Sequence, residues 1–147
     1  MKPNPQKSAA EGQTNDVNRA TPQKPTPAQV DRGEYVPMLI QQKIEDMILY
    51  GNKALLGFPR AERYAMAADI KRSMYALYRL VVAANKKYFK KTTLQDADVE
   101  LAILRNFIRL AANKELRYLP INKYENWAKM LDEIGRMLGG WIKAMKQ

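Results

Sequence analysis

The 147-residue chain contains no cysteine and no histidine. Without cysteine there is no disulfide framework, thiolate zinc site or thiol nucleophile. Without histidine there is no imidazole base, and a Ser-His-Asp relay cannot be built. No apolar run reaches 18 residues, so no helical membrane span is expected. The first 20 residues lack the apolar run of a secretory signal, which makes the cytosol the expected compartment. There is no P-loop, no G-x-G-x-x-G and no acid pair at glycosidase-like positions. A polymerase or nuclease domain would need more chain and clustered metal-binding carboxylates. Strand-like alternation and internal repeats are also missing. These absences leave a small, non-catalytic, single-domain protein with no cofactor and no metal.

What the chain has is positive charge: 25 Lys+Arg against 15 Asp+Glu, a formal net of +10. Five basic and three acidic residues fall in residues 1–33, which leaves 20 against 12 and a net of +8 for residues 34–147. Residues 1–33 are rich in Pro, Gln, Asn, Thr and Ala and hold hardly a large apolar side chain. Such a segment cannot bury enough surface to offset its ordering entropy, so a disordered tail is expected, with a linear docking motif as the alternative. The polycation is therefore the folded part, and its expected partners are polyanions or an acidic surface.

From residue 34 onward the apolar pattern is helical. A first helix is expected to start near Pro37, with Ile40, Ile44, Met47, Ile48 and Leu55 on one face, and to stop at Gly57. A second, from about Pro59 to Phe89, carries Ile70, Met74, Leu77, Val81, Ala84 and Tyr88 at intervals of 4, 3, 4, 3 and 4. A third is expected to start near Thr92, capped by Thr92 with Gln95, and repeats Ala97, Leu101, Leu104, Ile108 and Ala111. The fourth starts near Asn122, with Glu125 as capping partner, and repeats Trp127, Leu131, Ile134, Leu138, Trp141 and Met145. Alternating steps of 4 and 3 are the spacing of helices packed at shallow angles. The expected fold is all-α, an up-down-up-down four-helix bundle over residues 34–147. Gly135, Gly139 and Gly140 inside the fourth helix each cost about 1 kcal/mol against Ala, and close helix contact is the expected compensation.

The third helix has a second apolar stripe, Ile103, Phe107 and Leu110. One bundle needs one apolar stripe per helix, so this one is expected at a subunit interface unless the helix is central. Asp96, Asp98 and Glu100 form the one carboxylate cluster; acids answering the helix dipole explain them more simply than a metal pair. Among the cations, Lys86, Lys87, Lys90 and Lys91 crowd the turn between the second and third helices, with Tyr88 and Phe89 between them. In an up-down-up-down bundle Lys143 and Lys146 fall at the same end. Arg72, Arg79 and Lys86 recur every seven residues, with Tyr75 and Tyr78 nearby. These residues are candidates for phosphate contact and base stacking, against the alternative of an ordinary solvated face. Arg105 and Arg109, one turn apart on the most apolar helix, either join that binding surface or brace the fold against Glu125 or Glu133.

Two stretches carry a resemblance. The third helix reads L-x-x-A-D-x-x-L-A-x-L-R-x-x-x-R from Leu94 to Arg109, and the fourth reads Y-x-x-W-x-x-x-L-x-E-I-G-R-M-L-G-G-W-I from Tyr124 to Ile142. The pattern resembles the accessory variability determinant (Avd) proteins of diversity-generating retroelements, relatives of the four-helix proteins encoded in ribosomal-RNA intervening sequences. The resemblance covers roughly residues 36–145. It implies a homopentameric barrel of four-helix bundles that binds the element's reverse transcriptase and template RNA, with DNA as a second candidate ligand, and supports mutagenic cDNA synthesis without being an enzyme. The alternative is an intervening-sequence-type protein, a nucleic-acid-binding scaffold of unknown role. Since residues 1–33 offer the bundle no apolar anchor, their deletion is expected to leave thermal stability and oligomer mass unchanged, as read by thermal denaturation and light scattering.

Overall fold

The computed structural model describes residues 36–145; the tail expected over residues 1–33, and Lys146, lie outside the described residues. Four helices follow one another: α1 (Val36–Leu55), α2 (Met66–Lys86), α3 (Lys91–Ala111) and α4 (Ile121–Met145). Among the described residues there is no strand. The contacts run α1 to α2, α2 to α3, α3 to α4 and α4 back to α1. This is the ring of neighbours that an up-down-up-down bundle with short connections produces. One end holds the α2–α3 turn, the start of α1 and the last turn of α4.

The buried seams are the residues that the 4-and-3 spacing selects. Ile70, Met74, Leu77, Val81 and Ala84 of α2 are buried, as are Ala97, Leu101, Leu104, Ile108 and Ala111 of α3. Trp127, Leu131, Ile134, Leu138 and Trp141 complete the core from α4, against Ile40, Ile44, Met47 and Leu55 of α1.

The structure departs from expectation at the helix ends. The segment after Pro59 opens with a short 3-10 turn, Arg60–Glu62, and α2 proper begins at Met66, whose N–H donates to Glu62 Oε1 at 3.3 Å. α2 stops at Lys86, because Lys87 is extended, so Tyr88 leaves the seam and is 89% exposed. α3 begins at Lys91, and no side chain caps it. Instead of Thr92 capping with Gln95, the buried Thr93 hydroxyl accepts a 3.0 Å hydrogen bond from Lys87 Nζ. α4 begins at Ile121, so Asn122 lies within the helix, and Met145 at its far end is exposed.

The glycines also sort differently. At Gly51 a Cβ would lie 2.6 Å from Met74 Sδ and 2.7 Å from Trp127 Cζ2, so α1 reaches α2 and α4 only because that position has no side chain. At Gly135 a Cβ would meet Arg105 Nη1 at 3.1 Å, a close contact of the expected kind. Gly139 and Gly140 have nothing within 4 Å, so no helix contact among the described residues compensates them. Between α3 and α4 the chain turns through Arg117, which takes φ 53°, the left-handed conformation.

Each helix pair is also joined by a polar link. Tyr78 donates to Glu45 (2.7 Å) and Asn85 Nδ2 to Gln41 Oε1 (3.1 Å) between α1 and α2. Ser73 donates to Glu100 Oε2 (2.7 Å) between α2 and α3. Arg105 pairs with Asp132 between α3 and α4, and Lys43 with Glu133 (2.8 Å) between α1 and α4. Forcing a side chain into the Gly51 contact overpacks the core. Gly51→Ala is therefore expected to destabilise the fold by about 1–3 kcal/mol, measured as a lower urea midpoint with an unchanged m-value.

Candidate nucleic-acid interface

The lysines singled out in the sequence do gather. Lys86 closes α2, Lys87 and Lys90 lie in the four-residue turn, and Lys91 opens α3. Lys90 Nζ sits 5.6 Å from the centre of the Trp141 ring, a cation–π contact that ties the turn to the last part of α4 and brings Lys143 to the same end. Lys87 is held by the Thr93 hydroxyl. Among the described residues none of Lys86, Lys87, Lys90, Lys91 and Lys143 has an ion pair. The two groups that hold this turn in place, the Thr93 hydroxyl and the Trp141 indole, are both neutral, so no acid among the described residues compensates the positive charge.

Arg72 and Arg79 are exposed on α2. From Lys86 to Arg72 is fourteen residues, about 21 Å along the helix, so the three cations form a line running up from the lysine cluster. Arg72 pairs with Asp69 three residues before it, an exposed contact of the kind worth little in water. Tyr75 and Tyr78, expected as stacking rings, are engaged with α1 instead. Tyr75 Oη accepts from Asn52 Nδ2 at 3.3 Å and Tyr78 packs against the core while donating to Glu45. That hydrogen bond to the Glu45 carboxylate raises the Tyr78 pKa above the ordinary tyrosine value. The aromatics exposed beside the lysines are Tyr88 and Phe89, at 89% and 86%; Tyr64, equally exposed at 86%, lies just before α2.

Arg105 and Arg109 are not part of the cluster. Arg105 lies fourteen residues beyond Lys91, in a groove of about 430 Å³ between α3 and α4 lined by Asp98, Asp132, Gly135 and Arg136. Its guanidinium pairs with Asp132 and donates to the Leu131 carbonyl at 3.5 Å. It does brace α3 to α4, but against Asp132 rather than Glu125 or Glu133; Glu133 is turned toward α1 and Lys43. Arg109 donates to Asn106 Oδ1 of its own helix at 2.8 Å. Arg136, part of the fourth-helix motif, lines the same groove, a neighbour of Arg105 that only the fold reveals. Of the second stripe, Ile103 is 41% and Leu110 46% exposed, whereas Phe107 packs against the core. Val99, 60% exposed one turn before Ile103, extends the stripe.

Asp96 and Asp98 are exposed, and Glu100 accepts from Ser73. No group of three or more metal-ligating side chains occurs among the described residues. No helix among the described residues is long and apolar enough to cross a membrane.

The fold and its charge thus define a class: a basic four-helix bundle with a lysine-rich end. The bAvd-like family model matches residues 38–145, from the first turn of α1 to the end of α4, and the chain belongs to that family. No curated protein matches the chain.

Two consequences can be measured. The Arg105–Asp132 pair is about half exposed on both sides, so Arg105→Ala is expected to cost only about 0.2–1 kcal/mol in urea denaturation. The Lys43 hydrogen bond, with desolvation opposing it, holds the Glu133 pKa below the ordinary glutamate value. A lowered carboxylate stabilises the fold above the unfolded pKa of about 4.3 and ceases to as pH falls through the lowered folded value. Lys43→Met is therefore expected to lower stability at pH 7 and to flatten the acid limb below about pH 4.3, followed by denaturation at a series of pH values.

Proposed function

We propose that this protein is a non-catalytic accessory subunit of a diversity-generating retroelement. It assembles as a homopentameric barrel in the cytoplasm and binds the element's reverse transcriptase and template RNA during mutagenic cDNA synthesis. The observation that carries the reading is membership of the bAvd-like family across all four helices. Two features support it. Lys86, Lys87, Lys90 and Lys91 form a cluster without ion pairs among the described residues, continued along α2 by Arg72 and Arg79 and suited to phosphate contact. Val99, Ile103 and Leu110 expose an apolar stripe on α3, and Gly139 and Gly140 leave α4 bare, as surfaces that meet other copies would.

Lysines are point charges, without the fixed fork that reads a guanine edge, so RNA sequence is selected by RNA shape and by the polymerase. Five copies of a bundle carrying +8 give a field of about +40. The direct test is co-purification of the chain with the neighbouring reverse transcriptase and RNA; recovery of the chain free of both would overturn the proposal. Light scattering is expected to give five times the chain mass, falling on Ile103→Glu without loss of helicity. Affinity for RNA is expected to fall steeply with salt. Replacing Lys86, Lys87, Lys90 and Lys91 with Gln should flatten the log–log salt slope by about 0.7–0.9 per lost phosphate contact.

A further inference from the structure

Two large aromatic side chains stand at the α2–α3 turn where nothing among the described residues covers them. Tyr88 and Phe89 are 89% and 86% exposed, and their rings meet edge to face, with centroids 4.8 Å apart and planes at 85°. In that arrangement each ring supports the other and still presents a flat face to solvent. The turn is held from two sides: Lys87 is hydrogen-bonded to Thr93, and Lys90 lies over Trp141. The rings are thus displayed from an anchored turn and flanked on both sides by lysines that have no ion pair among the described residues.

We infer that the Tyr88–Phe89 pair is a stacking platform for unpaired bases, and that it makes the lysine-rich end selective for single-stranded over double-stranded RNA. The inference rests on the nucleic-acid binding proposed above and adds to it the form of nucleic acid that the surface takes. Lysines alone track phosphates and accept either form. A ring face adds affinity only where a base is free to leave its own stack, which a duplex does not allow. Charge argues for this occupant over a second copy of the same end, which would bring like charges together around the rings.

The test uses the full chain and fluorescence anisotropy on an RNA single strand and a duplex of equal length. Tyr88→Ala combined with Phe89→Ala is expected to weaken single-strand binding at least about five-fold, to leave duplex binding and its salt slope unchanged, and to leave helicity and oligomer mass intact. Tyr88→Phe, which keeps the ring and loses the hydroxyl, is expected to bind as the parent does. Unchanged single-strand affinity in the double-alanine variant, with binding still weakened by the four Lys→Gln changes, would overturn the platform and leave nucleic-acid binding standing. Absence of RNA binding by the parent protein would overturn both. A lower oligomer mass in the double-alanine variant would show that another copy covers the rings, and would overturn the inference. So would loss of binding to anionic lipid vesicles with RNA affinity unchanged, which would assign the rings to a lipid surface.

Discussion

The bundle depends on the contact between Trp127 and the backbone of α1 at Gly51. Trp127 is fully buried, and a side chain at Gly51 would overlap both it and Met74. Three of the four helices therefore meet at one point whose spacing is set by the missing side chain. Size rather than hydrogen bonding drives the contact, because Trp127 Nε1 is buried without a partner among the described residues. An unsatisfied buried donor costs about 1–3 kcal/mol, while burying an aromatic surface of about 150–250 Å² gains about 4–6 kcal/mol. The gain exceeds the cost. With the helices fixed at that point, the alternating seam residues on either side fall into layers, and the polar links between neighbouring helices set their register.

The seams were legible because periodicity is a local property: a 4-and-3 step marks one face of a helix whatever it packs against. Helix ends were less so. The periodic pattern continues through Tyr88 although the helix stops at Lys86, and no glycine or proline marks that stop. Thr92 and Gln95 have the spacing of a capping box, yet Thr93 is the threonine the fold uses, because Lys87 reaches back to it across the turn.

The candidate site shows the same division. That lysines crowd the second turn could be read directly from the sequence, and the alternation of helix direction placed Lys143 at the same end. Which acid answers Arg105 could not. Asp132 and Glu133 are adjacent in sequence but about 100° apart around the helix, and that angle sends one to α3 and the other to α1. Four glycines lie inside predicted helices, but the sequence does not say what approaches each. The one with the tightest contacts, Gly51, carries no motif.

The charge of the surface follows from where the acids are engaged. Glu45, Glu100, Asp132 and Glu133 accept hydrogen bonds or ion pairs across helix interfaces, Glu62 accepts from the start of α2, and Asp69 pairs with Arg72. Of the arginines and lysines answered by these acids, Lys43 and Arg105 hold helices together. The groups that steady Lys87 and Lys90 are neutral, so the turn is ordered without its charge being cancelled. Among the described residues the four lysines around the turn carry no ion pair. Helix edges linked by carboxylates and a turn fixed by a hydroxyl and an indole are therefore two parts of one arrangement, in which the acids answer cations and hydroxyls between helices and the lysines of the turn stay available to phosphate.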